Sequence, residues 1–254
     1  MEAVDFAIVK DLPYYILGKG SNVLFADEGY PGVVIEIGAG MEKVERTGDT
    51  GIRAQAGVSL SALAVFAARE GLSGLEFAGG IPGTLGGAVT MNAGAYGGEM
   101  KDVIVSAKVM DEEGVVQELS CEELQLGYRT SIVQKKQLVV LEAEFLLKPG
   151  TTEEIQNTMK ELNAKRREKQ PLEYPSAGST FKRPEGYFAG KLIEDAGLRG
   201  YRVGDAQVSE KHCGFVVNRG KATCAEVLQL IKDVQKEVKE QFGVQLEPEV
   251  RIIR

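Results

Sequence analysis

Two runs of glycine carry the most chemical information in this chain. Residues 79–98, GGIPGTLGGAVTMNAGAYGG, hold eight glycines in twenty positions, with Ile81, Leu85, Val89 and Met91 interleaved as in a buried segment rather than a linker. Each glycine weakens an element by about 0.5–1 kcal/mol against alanine, so this density implies backbone that passes close to something. Two accounts fit. One is a set of tight turns that use glycine's access to positive φ; the other is a cradle of main-chain N–H groups around a phosphate-bearing ligand. The second run, Gly18-Lys19-Gly20-Ser21-Asn22, follows an expected strand. It is not a G-x-G-x-x-G fingerprint, because Val23 stands at the third glycine position and no helix follows at once. No Walker A spacing is present either. The two loops therefore suggest one extended ligand lying between them, and a dinucleotide such as FAD is the right size. Neither run contains His or Cys, which points to non-covalent binding.

Composition removes several alternatives. A single histidine, His212, leaves little from which to build a zinc site or a Ser-His-Asp triad. The cysteines Cys121, Cys213 and Cys224 are odd in number, lack metal-ligand spacing and read as reduced thiols of a cytoplasmic protein. A net charge of −7 argues against a general nucleic-acid binder. No apolar run approaches a membrane span, and the opening MEAVDFAIVKD lacks the basic and apolar regions of a signal peptide. At 254 residues the chain can hold one large or two ordinary domains.

The elements that must position these residues can be read from periodicity. Residues 1–10 read as the end of a helix, 12–17 and 33–37 as strands, and 51–57 as an alternating strand. Ser59 or Ser61 is placed to cap a helix to Glu70 with Leu60, Leu63, Ala64 and Ala67 on one face, stopped by Gly71. After the central loop, 103–110 and 115–119 form a hairpin around Asp111-Glu112-Glu113-Gly114, and 138–147 is a long strand. Pro149-Gly150 marks the expected domain boundary, giving domains 1–149 and 150–254. A capping-box pattern, Thr151 to Glu154, opens a helix to about Lys169, whose basic end Lys165-Arg166-Arg167 suits the negative pole of the helix dipole. A loop over 170–179 leads to Gly178-Ser179. A helix over 188–196, a strand over 214–218, an amphipathic helix over 225–242 with Val227, Ile231, Val234 and Val238 inward, and short strands over 244–246 and 250–253 follow.

Five segments in order, GKGSN at 18–22, GGIPGTLGGAVTMNAGAYGGE at 79–99, YRTS at 128–131, PSAGSTFKRP at 175–184 and EPEVRII at 247–253, resemble the UDP-N-acetylenolpyruvoylglucosamine reductase family over essentially the whole chain. The short spacing from Arg129 to Ser179 resembles the subtype without an extra substrate-covering loop. The resemblance implies an α+β fold: an FAD-binding domain of the PCMH, or vanillyl-alcohol-oxidase, type, followed by a C-terminal α/β substrate domain. Family members carry a further βαβ-type segment ahead of the helix with which this chain opens. That departure implies an N-terminally short flavin domain, and a monomer unless the exposed sheet edge associates with another chain.

The implied reaction is reduction of an enolpyruvyl ether of a UDP-sugar with NADPH as reductant, hydride passing through FAD to the substrate's β-carbon, for peptidoglycan precursor synthesis. By resemblance Arg129 grips the substrate carboxylate, Ser179 donates the proton to the α-carbon and Glu249 is the acidic partner. The implied cofactor contacts are Gly18, Gly20, Ser21, Asn22, Gly80, Ile81, Gly83, Thr84, Gly86, Gly87, Asn92, Ala93, Gly94 and Arg251. Those to substrate are Tyr128, Arg166, Arg167, Lys182, Arg183 and His212. On residue type alone, Arg129 also reads as a surface ion pair, Gly178-Ser179 as a turn, Glu249 as a partner of Arg251, Tyr128 as packing and His212 as structural. Two further functions stay open from the residues: another flavin-dependent oxidase on the same scaffold, and a non-catalytic nucleotide-sugar-binding fragment.

Overall fold

The structure, a computed structural model, describes residues 2–254; Met1, expected in the opening helix, lies outside them. The chain forms two compact units, residues 1–19 with 32–166 and residues 20–31 with 167–254. The composition break at Pro149-Gly150 is not where the units part. The helix Thr152–Lys169 begins there, and its Ile155 and Met159 pack into the core of the first unit.

The first unit is built on a five-stranded antiparallel sheet in the order Val116–Ser120, Ile104–Met110, Val139–Leu146, Gly51–Gln55, Val44–Thr47. Gly51–Gln55 alternates between half-buried and buried positions, so Ile52 and Ala54 face the core as a period-2 strand requires. The helix Leu60–Arg69 starts where Ser59 accepts the Ala62 N–H at 3.2 Å and buries Leu60, Leu63, Ala64, Ala67 and Ala68. The hairpin turn is fastened by Asp111, whose Oδ1 accepts the N–H groups of Glu113 and Val115. Beside these elements, Tyr14–Leu17 pairs in parallel with Val33–Glu36. The strand Val44–Thr47 escaped the sequence reading because its Glu45 and Arg46 look like surface charge. Arg53 on the neighbouring strand pairs with Glu45 at 3.5 Å and also with Glu144.

The central glycine run is not a loop throughout. Thr84 initiates a helix, Leu85–Met91, whose Leu85, Ala88 and Val89 are buried. Glycines at 86 and 87 hide that helix from a propensity argument.

The second unit places the helices Ala189–Asp195 and Cys224–Phe242 with a three-stranded antiparallel sheet, Arg202–Val203, Ala206–Val208 and Val216–Asn218. In the long helix Leu230, Ile231, Val234 and Val238 are buried, and Val227 packs against the same core. Its start carries a reciprocal Thr223–Glu226 capping box. The carboxylate of Asp27 reaches it from far back in the sequence, accepting from Cys224 N at 2.6 Å and Ala225 N at 2.9 Å. One expectation fails here, since residues 244–246 form no strand. The expected last strand does form, as Arg251–Ile253, and it pairs in parallel with Val23–Phe25, a strand too short and too distant to be read locally. All three cysteines are unpaired thiols. No helix among the described residues is long and apolar enough to cross a membrane.

Candidate functional site

In the first unit the start of one glycine run, Gly18, meets the other. Gly18 lies against Thr84 so closely that a Cβ at Gly18 would overlap Thr84 Oγ1. The main-chain N–H groups of Gly83 and Thr84 meet no acceptor among the described residues. Two adjacent unpartnered main-chain donors suit an anionic oxygen, such as one on the pyrophosphate of a dinucleotide.

The rest of the run has packing reasons, which narrows the expected cradle. Gly86 donates its N–H to Ala56 O at 2.8 Å, and a Cβ on it would come 3.1 Å from Ala56 Cβ. Gly94 pairs with Glu99, whose Cβ would lie 2.8 Å from an added Cβ. Ala93 gives its N–H to Ala88 O, Gly87 gives its own to Thr84 Oγ1, and Ile81 packs on the core. Gly80 makes room for the helix Thr152–Lys169: a Cβ there would overlap Asn163 Oδ1 and lie 3.2 Å from Arg166 Cδ. Burial lowers the pKa of the half-buried Arg166 guanidinium, opposed by the nearby Tyr96.

Asn92 acts on the protein rather than presenting its amide outward. It takes left-handed backbone at φ 44° after the helix Leu85–Met91, a conformation Asn tolerates. Its Nδ2 donates to Gly127 O at 3.1 Å, and its Oδ1 accepts Lys101 N–H at 3.0 Å. It thereby fastens the turn 127–130, closed by reciprocal main-chain bonds between Gly127 and Thr130. Tyr128 and Arg129 form the tip, with Arg129 at φ 55° and its guanidinium carbon 5.3 Å from the Tyr128 ring centroid. A bulky residue held at positive φ costs on the order of 1–3 kcal/mol and needs over-determined surroundings. Ser131, fully buried, supplies part of them by donating to Thr90 O at 2.7 Å. The Ser of YRTS was the sequence signal for this clamp.

In the second unit Ser179 and Glu249 sit on neighbouring strand segments. Ser179 pairs with Phe215, Phe181 pairs with Pro248, and Glu249 N–H donates to Thr180 O at 2.8 Å. Thr180, a buried polar residue that sequence reasoning passed over, also accepts Val216 N–H on its hydroxyl at 2.9 Å. Asn22 joins the same ladder: its Nδ2 reaches Glu249 O at 3.3 Å, and its carbonyl accepts Arg251 N–H at 3.1 Å. Gly20 has φ 66°, and Gly178, at φ 77°, lies beside the Ser21 carbonyl. Of the expected phosphate cations, Lys182 is paired with Glu247 at 3.2 Å. Arg183 stacks 4.0 Å over the Phe188 ring, and the Arg167 carbonyl accepts from Lys211 Nζ at 2.7 Å.

His212 is held on several sides. Its Nδ1 accepts Gly214 N–H at 3.1 Å, its own N–H donates to Ser209 Oγ at 3.2 Å, and its ring meets Phe215 edge-on. The Nδ1 bond assigns the neutral tautomer with its proton on Nε2. Burial lowers its pKa below 6.5, opposed by a main-chain hydrogen bond and reinforced by the cations Arg199 and Lys169. A folded-state value below the unfolded one means the unfolded chain binds the proton first. Stability is then full above about pH 6.5 and falls as pH drops through the folded value. Urea unfolding from pH 7.5 to 5 should show that loss, and His212→Asn should flatten it; an unchanged slope would show that other groups carry it.

Comparison with known proteins agrees with these features. Residues 170–253 match the C-terminal domain of UDP-N-acetylenolpyruvoylglucosamine reductase, and residues 1–120 match an FAD binding domain. The chain is 58% identical to the UDP-N-acetylenolpyruvoylglucosamine reductase of Agathobacter rectalis, covering 98% of this chain and 83% of that one. It is 60% identical to the enzyme of the same name from Lachnoclostridium phytofermentans, with 96% and 79% covered. The crystal structure of UDP-N-acetylenolpyruvylglucosamine reductase from Thermus caldophilus superposes with a TM-score of 0.86 at 39% identity, over 98% of this chain and 89% of that one. The chain thus belongs to the UDP-N-acetylenolpyruvoylglucosamine reductase family, oxidoreductases with an FAD-binding domain.

Proposed function

We propose that this protein uses NADPH and non-covalently held FAD to reduce UDP-N-acetylglucosamine enolpyruvate to UDP-N-acetylmuramate, a peptidoglycan precursor. The observation that carries this reading, beside family membership, is the pair of unpartnered N–H groups at Gly83 and Thr84, with Gly18 packed against the Thr84 side chain. Hydride transfer is the chemistry a bound flavin supplies there.

The chain's own residues have three tasks. Negative charge develops on the α-carbon and carboxylate of the enolpyruvyl group, and Arg129 answers it with a forked, permanently charged donor. Ser179 delivers a proton to the α-carbon; a free serine is a weak acid, so its surroundings must stabilise the alkoxide or relay the proton through water. Glu249, whose main-chain N–H bonds to Thr180 next to Ser179, is the acidic partner in this reading. Tyr128 orients the substrate, His212 offers its Nε2 proton, and Arg166, Arg167, Lys182 and Arg183 are the cations for the diphosphate. Gly18, Gly20, Ser21, Asn22, Gly80, Gly83, Thr84 and Arg251 hold the cofactor.

Anaerobic stopped-flow spectroscopy tests the whole reading. The purified protein, supplemented with FAD, should take up flavin and bleach with NADPH, and its colour should return on adding the enolpyruvyl UDP-sugar. Rapid recovery with oxygen and indifference to the UDP-sugar would indicate an oxidase instead. A protein that stays colourless after FAD addition would sink the reading.

A further inference from the structure

A turn whose third residue stands at positive φ ordinarily holds glycine or asparagine there, and the turn 127–130 holds arginine, at φ 55°. Strain of this kind persists only where the surroundings over-determine it, and it clusters where it serves a function. Much of what surrounds this turn is one short segment, residues 92–94, within the same first unit. That segment is itself fixed. Asn92 N–H donates to Val89 O, Ala93 N–H donates to Ala88 O, and Gly94 pairs with Glu99. Two bonds run from it to the turn. Asn92, only 1% exposed, donates its Nδ2 to Gly127 O at 3.1 Å, so that this carbonyl accepts twice, from the amide and from Thr130 N–H. Two residues on, Gly94 O accepts from Arg129 Nη2 at 3.5 Å. One bond holds the base of the turn and the other holds its guanidinium.

We propose that Asn92 is a positioning residue for Arg129, holding the strained turn so that the guanidinium fork is aimed before substrate arrives. The inference rests on the reading of Arg129 as the group that meets the substrate carboxylate. Lys101 N–H, 3.0 Å from Asn92 Oδ1, decides which end of the amide faces Gly127. Without the Nδ2 bond the turn relaxes toward negative φ at residue 129, and the side chain leaves in another direction. Each carboxylate would then have to restore the strained form as it binds, which is the loss that preorganisation avoids. The flavin has no share in that loss. Asn92 therefore acts on the reaction through Arg129 and not through the cofactor, although the resemblance alone placed it among the cofactor contacts.

A double-mutant cycle on the purified protein supplemented with FAD tests this, with kcat/KM for the enolpyruvyl UDP-sugar as the readout. Asn92→Asp keeps the acceptor for Lys101 N–H and turns an oxygen toward Gly127 O where a donor stood. It should lower kcat/KM by about 10–100-fold, the span of one buried polar group deprived of its partner. In the Arg129→Lys background the same change should cost about threefold or less, because a point charge depends less on direction than a fork does. Flavin affinity, read by titration, should match wild type in every variant at residue 92. Equal losses in the two backgrounds overturn the assignment, as does weakened flavin binding, which would return Asn92 to the cofactor. Should Asn92→Asp fail to fold, Asn92→Gly decides the matter by the same cycle, since glycine takes φ 44° without strain. Wild type that turns over the substrate no faster than Asn92→Asp defeats this inference alone. Wild type with no turnover defeats the proposed function.

Discussion

Ser179→Ala should leave bleaching by NADPH close to the wild-type rate while slowing the return of colour with the enolpyruvyl substrate by about 10²–10⁴-fold, the usual reach of one acid–base group. The two half-reactions separate because only the second protonates carbon. The fold gives the substitution little else to disturb. The main-chain bonds that hold this segment come from Thr180 N–H to Gly214 O and from Glu249 N–H to Thr180 O, and alanine retains both. A general loosening would slow both halves together, and equal losses would refute proton donation. Ser179→Cys would sharpen the reading, since a thiol retains a proton but changes its acidity, so the pH dependence of the second half should move.

Arg129→Lys is the second large effect. Turnover of the UDP-sugar should fall by about 10²-fold, near the cost of deleting one oriented donor from a site of developing charge, although the net charge is preserved. A lysine offers a point charge where a carboxylate is met by two parallel N–H groups. Both residues face the same backbone demand at φ 55°, so folding stability should change little and the kinetic loss can be assigned to recognition. Steady-state kinetics on protein with a matched unfolding midpoint would measure it. Full activity would exclude carboxylate gripping at this position.

Local signals in the sequence were legible wherever a residue acts within a few positions of itself. Ser59 capping Ala62, Thr151 with Glu154, and Asp111 in its hairpin all stand as their spacing implies. What stayed hidden were bonds between distant segments. Asn92 was readable as polar and near glycine, but its grip on Gly127 crosses 35 positions, and nothing local marks it as the support of the Arg129 turn. The helix Leu85–Met91 was masked by its own glycines, of which Gly86 answers the close approach of Ala56. Ser179 and Glu249 came from resemblance. Seventy residues separate them, and only the strand pairing through Thr180 makes them neighbours.

The bond from Asp27 to Cys224 spans 197 positions, and Val23–Phe25 lies beside Arg251–Ile253 near the other end of the chain. During synthesis this early strand and carboxylate emerge first and must wait for nearly the whole polypeptide before meeting their partners. Closing so large a ring is a late, entropically costly event. A piece beginning at residue 167 would contain all of residues 170–253, yet its last strand would lack a neighbour and its longest helix one of its two carboxylate caps. The second unit is therefore completed by residues 20–31, and any nascent chain stalled before residue 251 leaves the strand Val23–Phe25 without its neighbour.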